Sequence, residues 1–417
     1  MTLQKTDYKE LKTCLACGGD RLKQFLDFRE QPLANSFTKT PEKLEKYPLQ
    51  VNYCQDCSHS QLSVAVDPEV MFSDYCYVSG TTQTLKTHFS KLAAWAKSTF
   101  MVQQTKDHKA HTVLDIGSND GTALYEFKRM GFVVQGVDPA ANLKKVSEEK
   151  GVPVETAFWS HGFAKHWGRK FCVITACNVL AHQHHPEDFL LGVKEALHED
   201  GVAFIQFPYM KNTMKINDFG QIYHEHCNYF TVRSFLALCN RTGLTIGDVR
   251  FFSNIHGGTI EFTLTHKEAK WNSLNRLNAF LRDEGAIDYT GYAKKVDSNI
   301  DKLANTVIEL DDAGYKIIMY SASAKSSTLL NSKFKPYANF IHYVVDDSPS
   351  KLGRFCPGSG LEIFEPQSLK TEELRMRPIA LLLTAHNFKA EILQRLRSMG
   401  IKGLLINYVP EVSVEEI

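Results

Sequence analysis

The sequence predicts an α/β protein made of a small N-terminal metal-binding module, a central Rossmann-like domain and a smaller C-terminal Rossmann-like α/β domain. Three observations lead there: two Cys-x-x-Cys pairs near the start, a strand, glycine turn, helix and strand succession beginning at Val113, and a second such succession from about residue 314. A chain of 417 residues is too long for one ordinary core and suits two or three domains.

Cys14-Leu-Ala-Cys17 and Cys54-Gln-Asp-Cys57 define the first part, assigned to residues 1–75. Each pair can reach one ion through a tight turn, and four soft thiolates suit tetrahedral zinc. A closed all-thiolate site has no open position for water, so the expected role of the metal is structural. His59 lies close by, but a complete four-cysteine set does not need it. The stretch between the pairs is rich in Pro and Lys, contains a Pro-Leu-Ala-Asn segment, and promises little core of its own. Ten cysteines in so long a chain are not the density of a disulfide scaffold.

With 48 basic and 47 acidic residues the net charge is +1, which provides no field for nucleic acid or an anionic membrane. No apolar signal-peptide core opens the chain and no window approaches a membrane span, so the expected location is the cytoplasm.

The second part, residues 76–266, opens with VLDIG as a short buried strand, SNDGT as a turn, ALYEFKRM as an amphipathic helix and VVQGVD as a strand ending at Asp138. PAANLKKVSEEKG reads as a helix, CVITACNVL as a strand, PEDFLLGVKEALHEDG as a helix closed by Gly201, and VAFIQFP as a further strand. After TVRSFLALCNRTG, a helix, the segments DVRFFSN and GGTIEFTLTH resemble the antiparallel end of a methyltransferase sheet. Gly117 lets backbone approach a ligand, and Asp138 can accept from both hydroxyls of a ribose. The cradle is assigned to Asp115, Gly117, Ser118, Asn119, Asp120, Asp138 and Asn178. Strand geometry alone serves a nicotinamide cofactor equally well. The turn lacks the GxGxxG that wraps a pyrophosphate, which favours S-adenosylmethionine, a cofactor without phosphates.

A charged helical connector, residues 267–313, leads to the third part, residues 314–417. There KIIMYSASAKSSTLLN and FIHYVVDDSPSKLGRF repeat the strand and turn logic, and IALLLTAHN and GLLINYV add strands. Ser323 and Lys325 fall on a strand-to-helix turn whose amides and ammonium would suit a nucleotide diphosphate, although an ordinary surface lysine reads equally well. His182 falls at the mouth of the first sheet, facing either substrate or water. Tyr75 and Tyr77 either close over the site or pack the small module onto its neighbour. The run Tyr223-His224-Glu225-His226, taken alone, is a solvated polar loop as readily as a site.

Together these motifs resemble the three-domain C-methyltransferases that act on nucleotide-linked 4-keto deoxysugars. DIGSNDG is similar to the family's EIGSNDG turn, NVLAH to NVxAH, IYHEHCNYF to IYHEHxxYF, HGGT to HGGS, and YSASAKSSTLLN to YGAxAKxxxLLN. The resemblance spans nearly the whole chain and implies a class I methyltransferase domain between the zinc module and a C-terminal nucleotide-sugar-binding domain. It implies methyl transfer from S-adenosylmethionine to C3 of the sugar, after loss of the C3 proton made acidic by the C4 ketone. By motif, His226 is the general base, Tyr223 and His182 bind or polarise the keto oxygen, Glu225 holds the C3 substituent and Tyr77 lines the pocket. A neutral imidazole suits a base working near pH 7. Two departures stand out: Glu261 where the family often has arginine, and Ser321 for the glycine of YGA. The alternative is a zinc-module methyltransferase acting on nitrogen or oxygen of another small molecule, protein or RNA. A monomer is expected.

Overall fold

In the computed structural model the described residues are 8–72, 83–98, 111–255, 257–266, 274–371 and 377–417. Tyr75 and Tyr77 lie outside them.

The N-terminal module is built on β1 (Tyr8–Glu10), β2 (Leu22–Gln31), β3 (Tyr47–Cys54), β4 (Ser60–Leu62) and β5 (Val64–Val66). Strands β2, β3 and β4 pair antiparallel, while β1 pairs with β5. Along β3 the side chains of Tyr47, Leu49 and Val51 alternate inward, as a half-buried strand requires. The two cysteine turns are alike: Gly18 N–H reaches the Cys14 carbonyl at 2.8 Å and Ser58 N–H reaches that of Cys54 at 3.0 Å, with φ of 81° and 59°. Leu26, Phe28, Leu49 and Val51 join one apolar cluster with Ile317, Met319 and Leu330, whereas Cys14, Cys54 and Cys57 belong to the cluster that holds Phe230 and Phe235. The module therefore shares its core with both larger parts.

The central sheet contains β6 (Thr112–Ile116), β7 (Val133–Val137), β8 (Val154–Glu155), β9 (Phe171–Cys177), β10 (Leu197–Pro208), β12 (Thr245–Phe252) and β13 (Thr259–Thr265). Their order is β12-β13-β10-β9-β6-β7-β8, parallel except where β13 runs against β10 and β12. The order reverses between β6 and β9, where a doubly wound sheet opens the crevice that takes a ligand. Between β10 and β12 the chain leaves this sheet, and β11 (Asn228–Tyr229) pairs instead with β4 of the N-terminal module.

One sequence expectation fails here. The helix Pro186–Ala196 stops before Gly201, because Leu197 turns extended, is buried, and pairs with Phe171 of β9. The exposed His198, Glu199 and Asp200 are absorbed in an irregularity of β10. Gly201 serves there as a close-approach residue, since a Cβ would lie 3.0 Å from the Cys172 and His198 carbonyls.

The connector forms helices Leu274–Glu284 and Tyr289–Asp312. Glu284 is buried and accepts from Tyr209 Oη at 2.9 Å and from the amides of Val232 and Arg233 at 2.6 and 3.0 Å. It thereby supplies negative charge at the start of helix Val232–Thr242.

The C-terminal sheet contains β14 (Lys316–Tyr320), β15 (Ile341–Val345), β16 (Ile363–Phe364), β17 (Ile379–Leu383), β18 (Leu404–Asn407) and β19 (Ser413–Glu416), in the order β16-β15-β14-β17-β18-β19. All pairs are parallel except β18 with β19. Its first turn repeats that of the central domain. Gly117 at φ 69° and Ser321 at φ 89° donate to Val137 and Val345 at 2.8 and 2.7 Å. Asp138 accepts from the amides of Asn119 and Ala140, each at 2.8 Å, and Asp346 from those of Ala322 and Ser348 at 2.7 and 2.8 Å. Ser321 thus adopts the left-handed backbone for which glycine is the usual residue.

Candidate active site

The turn after β6 is the candidate cofactor cradle. A Cβ on Gly117 would lie 2.4 Å from Val179 Cγ2, so only glycine leaves this approach open. Asp138 is buried at the end of β7, where burial pushes its carboxyl up while the Ala140 and Asn119 amides hold it down. Asp115 lies beneath the turn; it accepts from Thr175 Oγ1 at 2.6 Å, and burial pushes its pKa up to about 7. Asp120 turns to its own helix, where it accepts from Thr122 Oγ1 at 2.9 Å and pairs with Lys150 at 2.7 Å. Ser118 Oγ and Asn178 Oδ1 are buried with no hydrogen-bond partner among the described residues. Asn178 stands at φ 57° immediately after β9. Two unpaired polar atoms, a clear glycine approach and a strand-end carboxylate fit an adenosyl cofactor bearing an amino-acid tail.

The Tyr223 to His226 run crosses between domains, and each side chain takes a different direction. His226 Nδ1 lies 2.8 Å from the Gln221 carbonyl, which can only accept, so Nδ1 carries the proton. In the neutral ring Nε2 then keeps its lone pair, and it lies 2.8 Å from Tyr223 Oη. His182, on the turn after β9, packs its ring edgewise on His226 with centroids 4.8 Å apart. Burial pushes the His182 pKa down to about 4, so that ring is neutral near pH 7. Glu225 is buried and accepts from Asn35 Nδ2 at 2.6 Å. His224 points the other way, reaching the Tyr47 carbonyl at 3.2 Å and packing on the Tyr47 ring.

Asn228 binds this loop to both neighbours. Its Nδ2 donates to the Gln183 carbonyl at 2.7 Å, while Oδ1 faces His59 Nε2 at 3.2 Å. From the C-terminal domain, Thr328 Oγ1 donates to the Ile222 carbonyl at 2.9 Å and Ser327 Oγ to that of Ala34 at 2.7 Å. Ser323 caps helix Ala324–Asn331 in a reciprocal pair with Ser326. Lys325 donates to Asp218 at 2.5 Å. The structure brings His182, Tyr223, Glu225 and His226 together and sets Ser323 and Lys325 against the same loop. Sequence reasoning missed Asn35, Asp218 and Asn228. The Pro-Leu-Ala-Asn segment was visible, but nothing local ties it to a loop 190 positions away.

The Glu261 departure is balanced within the sheet. Glu261 is fully buried and sits opposite Arg250 on β12, which donates to it, as does Gln206 on β10. His88 continues the row, 3.0 Å from Gln206. In the N-terminal module the four cysteine sulfurs lie within 4.8 Å of one another, with Cys14 to Cys57 and Cys17 to Cys54 both at 3.6 Å. Tetrahedral zinc with bonds of ≈ 2.3 Å requires sulfurs ~3.8 Å apart, so the cluster fits that ion.

A doubly wound sheet with an antiparallel end, a glycine turn that fits an adenosyl cofactor and a four-cysteine cluster that fits zinc define an S-adenosylmethionine-dependent methyltransferase fold with a zinc-binding module. The comparisons with known proteins agree. Family models described as "Putative zinc binding domain", "Methyltransferase domain" and "C-methyltransferase C-terminal domain" match residues 14–72, 87–248 and 254–410. The three models follow one another along the chain in that order. C-methyltransferase NovU of Streptomyces niveus is 27% identical over 426 aligned positions, covering 97% of each chain. A tRNA U34 carboxymethyltransferase of Campylobacter lari is 28% identical over 148 positions, 33% of this chain and 50% of that one. Among solved structures, magnesium protoporphyrin IX methyltransferase of Synechocystis with bound S-adenosylmethionine is 11% identical, with a TM-score of 0.34 over 44% of this chain and 79% of that one.

Proposed function

We propose that the protein methylates C3 of a nucleotide-linked 4-keto-6-deoxyhexose, with His226 as the base that removes the C3 proton. The observation that carries this reading is the state of His226. Its proton is fixed on Nδ1 by the Gln221 carbonyl, and its Nε2 lone pair faces the site beside Tyr223. Carbon becomes a nucleophile only after losing a proton, so a methyltransferase acting on carbon needs such a base, whereas a thiol or amine acceptor needs far less help. General-base assistance of this kind is worth ~10²–10⁴ in rate.

Ser118, Asn119, Asp138 and Asn178 would hold the cofactor, with Asp138 toward the ribose hydroxyls. When bound there, S-adenosylmethionine supplies a methyl group already activated by its sulfonium, so alignment is the remaining demand. Tyr223 and the neutral His182 flank His226 and can donate to the keto oxygen as negative charge develops there. Glu225, held by Asn35, would accept from the substituent on C3. The C-terminal domain, whose first turn repeats the cofactor cradle, would take the nucleotide. Near-neutral net charge and the full-length likeness to a protein named as a C-methyltransferase support this reading over methylation of RNA.

The test is methyl transfer to a panel of thymidine, guanosine and cytidine diphosphate-linked 4-keto-6-deoxyhexoses, with the product mapped by NMR. A new methyl on C3 is expected. A methyl on nitrogen or oxygen, or turnover only with RNA or protein, would refute the proposal.

A further inference from the structure

The loop that carries the base begins at Asp218, which is 1% exposed. Three donors converge on its Oδ2: Lys325 Nζ at 2.5 Å, His386 Nε2 at 3.0 Å and Gln221 Nε2 at 3.2 Å. Burial pushes the Asp218 carboxyl up, but the adjacent Lys325 and His386 outweigh it and hold the group well below the usual carboxylate range. Lys325 and His386 belong to the C-terminal domain, so two of its side chains grip a loop of the central domain through one carboxylate.

The grip continues toward the chemistry in two further links. The Asp218 carbonyl accepts the Gln221 N–H at 3.3 Å, and the Gln221 carbonyl accepts the His226 Nδ1 proton at 2.8 Å. Asp218 therefore holds Gln221 by main chain and side chain at once. A Cβ on the intervening Gly220 would lie 2.9 Å from Lys325 Cβ, so the helix start packs directly on this turn. Thr328 ties Ile222 from the same helix.

We propose that Asp218 is a positioning residue for His226: gripped by Lys325 and His386, it sets Gln221, whose carbonyl keeps the base in the tautomer with Nε2 unprotonated. The proposal rests on reading His226 as the base, and it makes Lys325 an ion-pair partner of the loop in place of a diphosphate ligand. It also gives the C-terminal domain a part in catalysis apart from substrate binding, because separating the domains would release the carboxylate that orients the base.

The test uses Asp218→Asn and, because removing a buried charge can prevent folding, Gln221→Ala, which leaves the ion cluster in place. Folding is checked by thermal melting and by S-adenosylhomocysteine binding. Nitrogen NMR of isotope-labelled histidine reports the His226 tautomer without any substrate. The expected result is loss of the single Nδ1-protonated signature in Asp218→Asn, with kcat lowered ~10²-fold and KM for the keto sugar little changed, and a smaller change in the same direction in Gln221→Ala, which keeps the carbonyl and loses only the side-chain bond to Asp218. Wild-type His226 resonances in a folded variant would overturn the proposal. So would Lys325→Met raising KM with kcat unchanged, which would place that ammonium on the diphosphate. If wild-type enzyme turns over no keto sugar, the proposed substrate fails while the NMR result still decides the role of Asp218.

Discussion

Tyr223 Oη lies 2.8 Å from His226 Nε2, the only nitrogen of that ring not already committed to the main chain. The phenol donates to the lone pair that the proposed reaction uses, so it both aims the ring and must yield to the substrate proton. Replacing Tyr223 by Phe removes a hydrogen bond worth about 1 kcal/mol and any help it gives to the keto oxygen. A fall in kcat of roughly fivefold or more is expected, read by steady-state kinetics on protein of unchanged melting temperature.

Under the proposed function, the contact between Asn35 and Glu225 bears on substrate binding. Their bond joins the N-terminal module to the site, with Asn35 donating to a buried carboxylate. Hydrogen bonds to charged groups are worth about 1.5–3 kcal/mol, so Asn35→Ala should raise KM for the sugar by roughly 10- to 100-fold. An unchanged KM would remove Glu225 from the substrate contacts.

Zinc should control activity without taking part in chemistry. Strand β11 pairs Asn228 with Gln61 and Tyr229 with Ser60, and the Leu62 amide donates to the Cys227 carbonyl at 3.1 Å. Loosening the cysteine turns frees the strand that anchors the loop of Tyr223 to His226. Cys14→Ala should lose zinc by elemental analysis and lose methyl transfer in parallel. Full activity in zinc-free protein would contradict this coupling.

Stability should depend on pH through His224. Burial pushes its pKa down to about 4, against a bond to Tyr47 that opposes the shift. The unfolded imidazole titrates at ~6.5, so between about pH 6.5 and 4 the unfolded chain binds a proton that the folded chain does not. Stability therefore falls with pH through that window, by up to about 3 kcal/mol from this group, and above it the contribution is constant. His224→Gln keeps a donor for Tyr47 and should reduce, by this group's share, the dependence of melting temperature on pH between 7 and 5, with the buried His182 retaining its own.

Much of this architecture is legible in local pattern. The strand and turn at DIGSNDGT and its repeat at YSASAKSS announce two open sheets, and Cys-x-x-Cys spacing announces the zinc module, because each is encoded within a few neighbouring residues. Asn35, Asp218 and the pairing of β11 with β4 are not legible in that way. Their partners lie 190, 107 and about 170 positions away, and no periodicity reports such contacts. Gly201 misled for the opposite reason. Its composition reads as a helix stop, while burial of Leu197 against the sheet ends the helix earlier. His224 and His226 are indistinguishable in sequence and separate only when the fold sends one to Tyr47 and the other to Gln221.

The central claim is that His226 removes the C3 proton. It is tested by incubating the protein with a 4-keto nucleotide sugar in deuterated water, with S-adenosylhomocysteine in place of the methyl donor, and following C3 by NMR. Wild type should exchange the C3 proton for deuterium, and His226→Asn should not, at equal folding and cofactor affinity. Exchange at the wild-type rate in His226→Asn would contradict the account.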